Sequence, residues 1–495
     1  MISAQRDVGN TTLKEFDLII VGGGVYGLML SLEAGLRGKR ALLIEKNDFG
    51  AATTYNHLRT LHGGLRYLQS LDLKRFFESV RERQWFFKNF PQFVKVLPCL
   101  MPLYDKGVRR RSILNGAIWI NDRLSSWRND GVVPEKHLPD GRIVNPEEVK
   151  TIYPGVATDG LTGGGIWYDG MVMEPERLMS GLINWSQSLG ASLLNYVSAQ
   201  EIIKYNGKVT GVQATDNESG TTVEFNAPVV INAAGPWCRD VSRKFDRDFS
   251  VLFPTGLRLW NILFKRESLS TYSLAISAQQ GKGHTYFVHD WKGRMLTGTG
   301  EALVGNMETD GVPTSRQINE FLVDLNSAVP ALNLSVEDID HIYSGILPAT
   351  KKGKLSKRET IIDHAASGGP KGLFSISGVK FTTSRLVAEK TIEKVFPGEK
   401  REEPVQAAPA DVSDARQSIF PFNWLPDKGD EPWKDCLRNS IHNEWVVHVD
   451  DLVFRRTSLG ENPERLVKII PHLRELFPYD DRRWQEELKR LPDKR

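Results

Sequence analysis

The sequence predicts an α/β fold: a Rossmann-type β–α–β unit near the start, a second sheet after it, and a helical C-terminal region. Three observations predict it. A short β-branched run, Asp17 to Val21 (DLIIV), leads straight into VGGGVYG and then into an apolar pattern of helical spacing. Between residues 194 and 232 apolar residues alternate with polar ones, the period of half-buried strands. Beyond an Ala/Pro/Asp/Ser-rich stretch at 407–422, which reads as a linker, helical patterning returns with dense charge.

The first strand is short and wholly apolar, as a strand covered on both faces must be. The helix that follows, YGLMLSLEAGLRG, stops at Gly38, and ALLIE gives a second strand ending in Glu45. A right-handed crossover makes the two strands parallel neighbours. Residues 50–66 form a loop rich in Thr, Asn, Gly and His. A long helix follows over Leu71–Asn89, with Phe76, Phe77, Val80, Trp85 and Phe86 among its apolar positions. The basic segment Lys106–Ser112 reads as a solvated turn. Asn206-Gly207 and Ser219-Gly220 mark turns between strands, and the run ends in VVINAAG. Residues 251–305 form the second sheet, with GRMLTGTG as one of its strands.

Composition bounds the class of protein. The 495 residues suggest roughly three domains. With 64 basic against 61 acidic residues the net charge is +3, too mild to imply a nucleic-acid partner. Hydrophobic and charged fractions are ordinary, which excludes a disordered or collagen-like chain. The three cysteines, Cys99, Cys238 and Cys436, are widely separated, so neither a metal knuckle nor a disulfide framework is expected. The N-terminal residues lack an apolar signal core, and no run is long enough to span a bilayer. The expected location is cytoplasmic.

Gly22, Gly24 and Gly27 make a GxGxxG between a strand and a helix, the context that gives the motif meaning. The first glycine permits a tight turn, the second admits a pyrophosphate to the backbone, and the third lets helix and strand pack closely. The helix N-terminus then offers N–H groups and positive dipole to the diphosphate. Glu45 closes the second strand, where a carboxylate accepts both ribose hydroxyls and repels a 2′-phosphate. A second glycine turn in VVINAAGPW and a third strand–turn–helix at 372–390 (GLFSISGVKFTTSRLVAEK) imply a long, enclosed cofactor. FAD fits this better than an exchangeable nicotinamide.

The pieces GGGVYG, HLRTLHGGLRYLQ (57–69), GGGIWYDGMVMEPERL (163–178), NAAGPW (232–237), YSGILPA (343–349) and SGVKFTTSRLVAEK (377–390) resemble a known family. It is that of the FAD-dependent glycerol-3-phosphate dehydrogenases, among the D-amino-acid-oxidase-like flavoproteins. HNEWVVHVDDLVFRRT (442–457) resembles their C-terminal helical domain. The resemblance implies an FAD-binding domain of the glutathione-reductase/D-amino-acid-oxidase type from residues 1–90, 145–240 and 340–400. It further implies an antiparallel-sheet substrate domain from 91–144 and 241–339, and a helical domain over 410–495.

It also assigns residues. Beside the glycine motif and Glu45, the cofactor would meet Gly23, Lys46, Thr53, Thr54, His62, Gly63, Gly64, Ala234, Gly235, Trp237, Gly378, Lys380 and Thr382. Arg358, Lys380 and His62 would act in catalysis, and Arg66, Tyr67, Arg59 and His57 would meet substrate. The family's phosphate-gripping arginine is replaced by Leu347, and Trp260 stands near an expected lysine. His289 reads as a strand-end surface residue.

The implied reaction is oxidation of a small polar alcohol, of the glycerol 3-phosphate or polyol phosphate kind, by hydride transfer to flavin N5. Electrons would pass to a quinone or to oxygen. No metal is expected. The aromatic helix at 71–89 with the basic turn after it could dock on the inner face of a membrane, and a homodimer is compatible. Two other readings stay open: an amine or amino-acid oxidase, and an FAD-binding protein without turnover in an assembly role.

Overall fold

The computed structural model describes residues 6–68, 70–104, 110–247, 255–277, 285–304, 311–350, 352–402 and 432–491. The linker expected at 407–422 and residues 106–109 of the basic segment lie outside the described residues.

The β–α–β unit folds as its apolar pattern dictates. Strands Leu18–Val21 and Ala41–Ile44 are buried at every residue and pair in parallel, Leu18 opposite Ala41. Strand Val230–Asn232 joins the other side of the first strand, and Leu373–Ser377 joins beyond it, both in parallel. Ser192–Leu194 and the antiparallel Thr360–Asp363 form the two edges. Helices Pro175–Ser188 and Ser384–Val395 pack on the crossover helix Val25–Gly35. The parallel strands therefore end on one rim, bringing Gly22, Glu45 and Ala233 together where such sheets bind ligands.

A three-stranded antiparallel sheet, Val197–Tyr205, Lys208–Asp216 and Thr222–Asn226, follows the expected turns. Asn206 and Gly207 both have positive φ, 48° and 72°, which a two-residue hairpin turn of this twist requires.

The largest sheet is mostly antiparallel. It carries Val94–Leu103, Gly163–Val172, Thr255–Glu267, Ser273–Ile276, Tyr286–Trp291, Arg294–Leu303 and Ile339–Ala349, with the short strands Thr60–Leu61 and Arg142–Val144 beside the second. Gly163–Val172 and Ile339–Ala349, assigned above to the cofactor domain, pair within this sheet. The former runs alongside Val94–Leu103, from Val94 opposite Val172 to Leu103 opposite Gly163. A strand opening with three glycines carries too little side-chain alternation to declare its sheet.

Helix Leu73–Asn89 begins at Asp72, whose carboxylate accepts from the Arg75 N–H at 3.1 Å. Most of its aromatic residues are core: Phe76 and Phe86 are wholly buried and Trp85 stacks on Trp185 at 6.0 Å, while Phe77 stays exposed. The sequence pattern could not distinguish core from docking face, because both need an apolar stripe at helical spacing.

The C-terminal region is helical as expected: Pro432–Asn443, Pro463–Leu476 and Asp481–Arg490 enclose a core of Leu437, Val453, Ile469 and Leu473. His448 ties this domain to the three-stranded sheet. Its Nδ1 lies 2.8 Å from Glu487 and its Nε2 3.0 Å from Glu218, with Arg483 alongside. Burial opposes its charge, but Glu218 and Glu487 outweigh that and raise its pKa to about 9 from 6.5. A raised folded-state pKa stabilises fully below the unfolded value and is lost as pH climbs through the folded one. Each tenfold change in proton affinity is worth about 1.4 kcal/mol, so the contribution is about 3 kcal/mol at most. Thermal melts should therefore show stability falling between pH 6.5 and 9, and His448→Gln should flatten that fall; an unchanged slope would refute the assignment.

Candidate active site

Each glycine of the motif has a separate steric reason. Gly22 holds φ at +113°. A Cβ at Gly27 would lie 1.8 Å from the Gly22 carbonyl oxygen, so helix and strand could not approach. At Gly24 a Cβ would meet only Thr54 Oγ1, at 3.2 Å, and the space beyond is open. Gly24 is the N-cap of helix Val25–Gly35 and has no side chain to occupy the helix terminus; Thr54 Oγ1 accepts from the Val25 N–H at 3.0 Å. An open glycine cradle at a helix N-terminus fits a diphosphate.

Glu45 lies at the same rim. Its two oxygens accept from the N–H groups of Gly23 at 2.6 Å and Asn47 at 2.9 Å, and burial pushes its carboxyl above the ordinary range against both. Each oxygen keeps a second lone pair for a ribose hydroxyl. Across the rim Gly235 has nothing within 4 Å of a would-be Cβ, and Lys46 lies over the Trp237 ring at 5.2 Å. Ala234 is held by its N–H donating to Asn232 Oδ1 at 3.2 Å. These residues fit a dinucleotide.

The HGG segment is built around a buried acid. Asp169 Oδ1 accepts from Gly63 N–H at 2.6 Å and from Arg83 Nη1 at 2.9 Å, while Oδ2 lies 3.3 Å from His62 Nδ1. Burial pushes the Asp169 carboxyl up, but His62, Arg83 and the Gly63 N–H outweigh it and hold it at about 2. As a carboxylate it only accepts, so Nδ1 of His62 carries the proton of this contact and Nε2 lies outside it. The imidazole is 45% exposed, open to a reactant. A Cβ at Gly63 would lie 2.0 Å from Arg83 Nη1 and push the guanidinium off Asp169, and Gly64 has φ +89°.

His62 is joined to the third segment through its backbone N–H, which donates to Thr382 Oγ1 at 3.3 Å. Two residues earlier, Lys380 Nζ stands over the Tyr67 ring at 4.3 Å. Arg75 and Arg66 meet the same ring at 4.8 and 5.4 Å. Burial and then the charge of Arg66 lower the Lys380 pKa to about 8. Lys380, Arg75 and the exposed Arg358 line one cleft with Tyr26. Gly378 lies against Tyr26, whose hydroxyl donates to the Lys380 carbonyl at 2.7 Å and accepts its N–H at 3.0 Å. The backbone of His62 is thus tied two residues from a lysine that shares one aromatic ring with two arginines.

Other assigned residues lie elsewhere. Arg59 is 1% exposed, caged by Tyr55, Trp291 and Tyr343 with its guanidinium 4.8–5.5 Å from their rings, and cannot reach a substrate. His57 stacks on Phe381 at 4.2 Å, and burial followed by Arg59 lowers its pKa to about 3. It is a neutral ring facing the Lys380 segment and not a substrate cation. Thr53 is engaged with the large sheet, donating to the Ile346 carbonyl at 3.0 Å. Leu347 is half-buried opposite Leu257. Trp260 is core against Phe321, and His289 is wholly buried, its Nε2 2.9 Å from Thr60 Oγ1, where a surface position was expected.

Asp169, Arg83, Tyr26 and Arg75 were missed. A signal existed for Asp169: an acid inside the otherwise apolar GIWYDGMV demands a buried partner.

A family model described as FAD dependent oxidoreductase (DAO) matches residues 17–394. A glycerol-3-phosphate dehydrogenase of Synechocystis sp. is 29% identical over 396 residues, covering 77% of this chain and 70% of that protein. Glycerol-3-phosphate dehydrogenase 1 of Mycobacterium tuberculosis is 26% identical over 520 residues, covering 96% and 98%. The crystal structure of the glycerol-3-phosphate dehydrogenase from Bacillus halodurans, complexed with FAD, superposes with a TM-score of 0.71 at 20% identity, covering 99% of this chain and 97% of that one. This last likeness shows a shared fold.

Proposed function

We infer the reaction from the fact that this chain belongs to the DAO family of FAD dependent oxidoreductases. It is an FAD-dependent oxidoreductase, and on our reading its substrate is a small alcohol carrying a phosphate, of the glycerol 3-phosphate class. Bound FAD supplies the two-electron acceptor that takes the carbinol hydrogen as hydride. His62 Nε2 takes the hydroxyl proton, leaving a ketone, and Asp169 stabilises the imidazolium that results. Lys380 offers positive charge to the developing alkoxide. Arg66, Arg75 and Arg358 receive the phosphate in place of the arginine replaced by Leu347. The names of the relatives support the substrate class. An amine substrate is disfavoured, because its cation would enter a cleft where Arg75, Lys357, Arg358, Lys380 and Lys390 outnumber Glu78 and Glu359.

One observation carries this reading: the His62 backbone N–H on Thr382 seats the Asp169-oriented imidazole beside the Lys380 segment. Anaerobic bleaching of the yellow protein tests it. Glycerol 3-phosphate or a close polyol phosphate should bleach the flavin while glycerol and amino acids do not. Bleaching by amino acids alone, or by no donor, would overturn it. Lys380 adds a pH signature. Its charge is present below about 8 and lost above it, so flavin reduction should slow as pH rises through that value. Lys380→Arg should remove the fall, and an identical profile would exclude Lys380 from the step.

The acceptor on this reading is a membrane quinone. No helix among the described residues is long and apolar enough to cross a membrane. Helix Arg111–Leu124, however, exposes Ile113, Trp119 and Ile120 beside Arg110, Arg111 and Arg123. An apolar face flanked by cations suits an anionic surface. The protein should float with anionic liposomes, and stoichiometric peroxide from dissolved oxygen would refute the quinone.

A further inference from the structure

The motif HNEWVVHVDDLVFRRT has no part in the chemistry above, yet its two arginines reach the cofactor rim. The second strand ends in Glu45, and the next turn carries Asp48 and Phe49, both fully buried. Phe49 leans on the glycine turn: a Cβ at Gly23 would lie 2.6 Å from its ring and 2.8 Å from Glu45 Cβ. The Gly50 N–H donates to the Gly23 carbonyl at 3.0 Å. Loop 45–50 and the glycine turn are therefore one packed unit.

What fixes this unit comes from the far end of the chain. Arg456 donates to both oxygens of Asp48, at 2.7 and 2.8 Å, and Arg455 Nε donates to the second at 2.6 Å. Both arginines lie on Leu452–Arg456, a widened helical turn of five residues, a rare conformation often retained for a purpose. Arg456 is locked in turn. Its Nε donates to the Glu444 carbonyl at 2.5 Å, and its own carbonyl accepts from Arg177 at 2.7 Å. Arg177 makes a bidentate pair with Glu444 at 2.8 and 2.9 Å. Trp445 meets Phe49 edge-on at 6.3 Å.

We propose that the C-terminal domain is a positioning element for the cofactor: through Asp48, Arg455 and Arg456 set the loop that presents Glu45 and the glycine turn to the adenosine diphosphate end of FAD. The proposal rests on the reading that Glu45 holds the ribose. Coupling between two sites is reciprocal, so FAD must also tighten the docking of this domain.

Full-length apoprotein, stripped of flavin, tests both directions. Arg456→Gln should weaken FAD binding about 5- to 150-fold, the usual span of a coupling, with Arg455→Gln weaker in effect and Arg456→Lys partly restored. Affinity is read by fluorescence titration, and each apoprotein is melted alongside. In the wild type, saturating FAD should slow amide exchange across residues 445–456. A folded Arg456→Gln protein with unchanged FAD affinity would overturn the proposal. So would exchange at 445–456 that ignores FAD, and that measurement decides the matter if Arg456→Gln does not fold. Glu45→Gln separates the two readings. Unchanged affinity there defeats the ribose assignment and this proposal with it, whereas loss there with none in Arg456→Gln defeats this proposal alone.

Discussion

Gly24→Val should give a folded protein that purifies without colour. The open space at Gly24 accommodates a side chain with only Thr54 Oγ1 nearby, and its φ of −73° suits any residue. The apoprotein should therefore melt close to the wild type. The same side chain would occupy the place a diphosphate needs beside the helix N-terminus. Two charge-assisted hydrogen bonds lost at about 1.5–3 kcal/mol each amount to about 3–6 kcal/mol, or 10²–10⁴ in Kd. Gly27→Val makes the contrast. Its Cβ would lie 1.8 Å from the Gly22 oxygen, so it should fail as a fold. Absorbance of the flavin per mole of protein, with circular dichroism, reads both. A yellow Gly24→Val protein with wild-type affinity would remove the glycine turn from the cofactor site.

His62→Gln should leave FAD bound and slow its anaerobic reduction by about 10²–10⁴, the usual worth of a positioned general base. Glutamine keeps a donor toward Asp169 but has no basic nitrogen. Stopped-flow reduction at saturating substrate isolates the step; a loss of less than tenfold would assign the proton to another group. Asp169→Asn tests the support beneath it. The neutral amide leaves Arg83 buried without a counter-charge, at a cost of about 3–5 kcal/mol to stability, and no longer stabilises the imidazolium. The acid limb should change too. The carboxyl of Asp169 is depressed from 3.8 to about 2, so its contribution is present above the ordinary value and lost as pH falls through the folded one. The wild type should lose stability below pH 4 more steeply than Asp169→Asn.

The sequence by itself determined the glycine turn at the rim of the parallel sheet and the order of the elements around it. Those features are local: strand Leu18–Val21 is apolar because both faces are covered, Gly22 is glycine because φ is positive there, and Asn206-Gly207 turns because both residues accept the left-handed region. The chemistry of the cleft was only partly local. HGG and GVKFTT could be marked as segments, but not that Asp169, over a hundred positions from His62, would orient its ring. Arg59 and the aromatic stripe of helix Leu73–Asn89 were open to two readings for one reason. A cation or an aromatic ring reads the same in sequence whether it faces solvent, substrate or core. Tertiary structure decided it, by closing Tyr55, Trp291 and Tyr343 around Arg59 and by setting Trp185 against Trp85. It likewise brought Arg456 to Asp48 across four hundred residues. A buried charge is stable only beside its partner, and no pattern within one segment records where in the chain that partner lies.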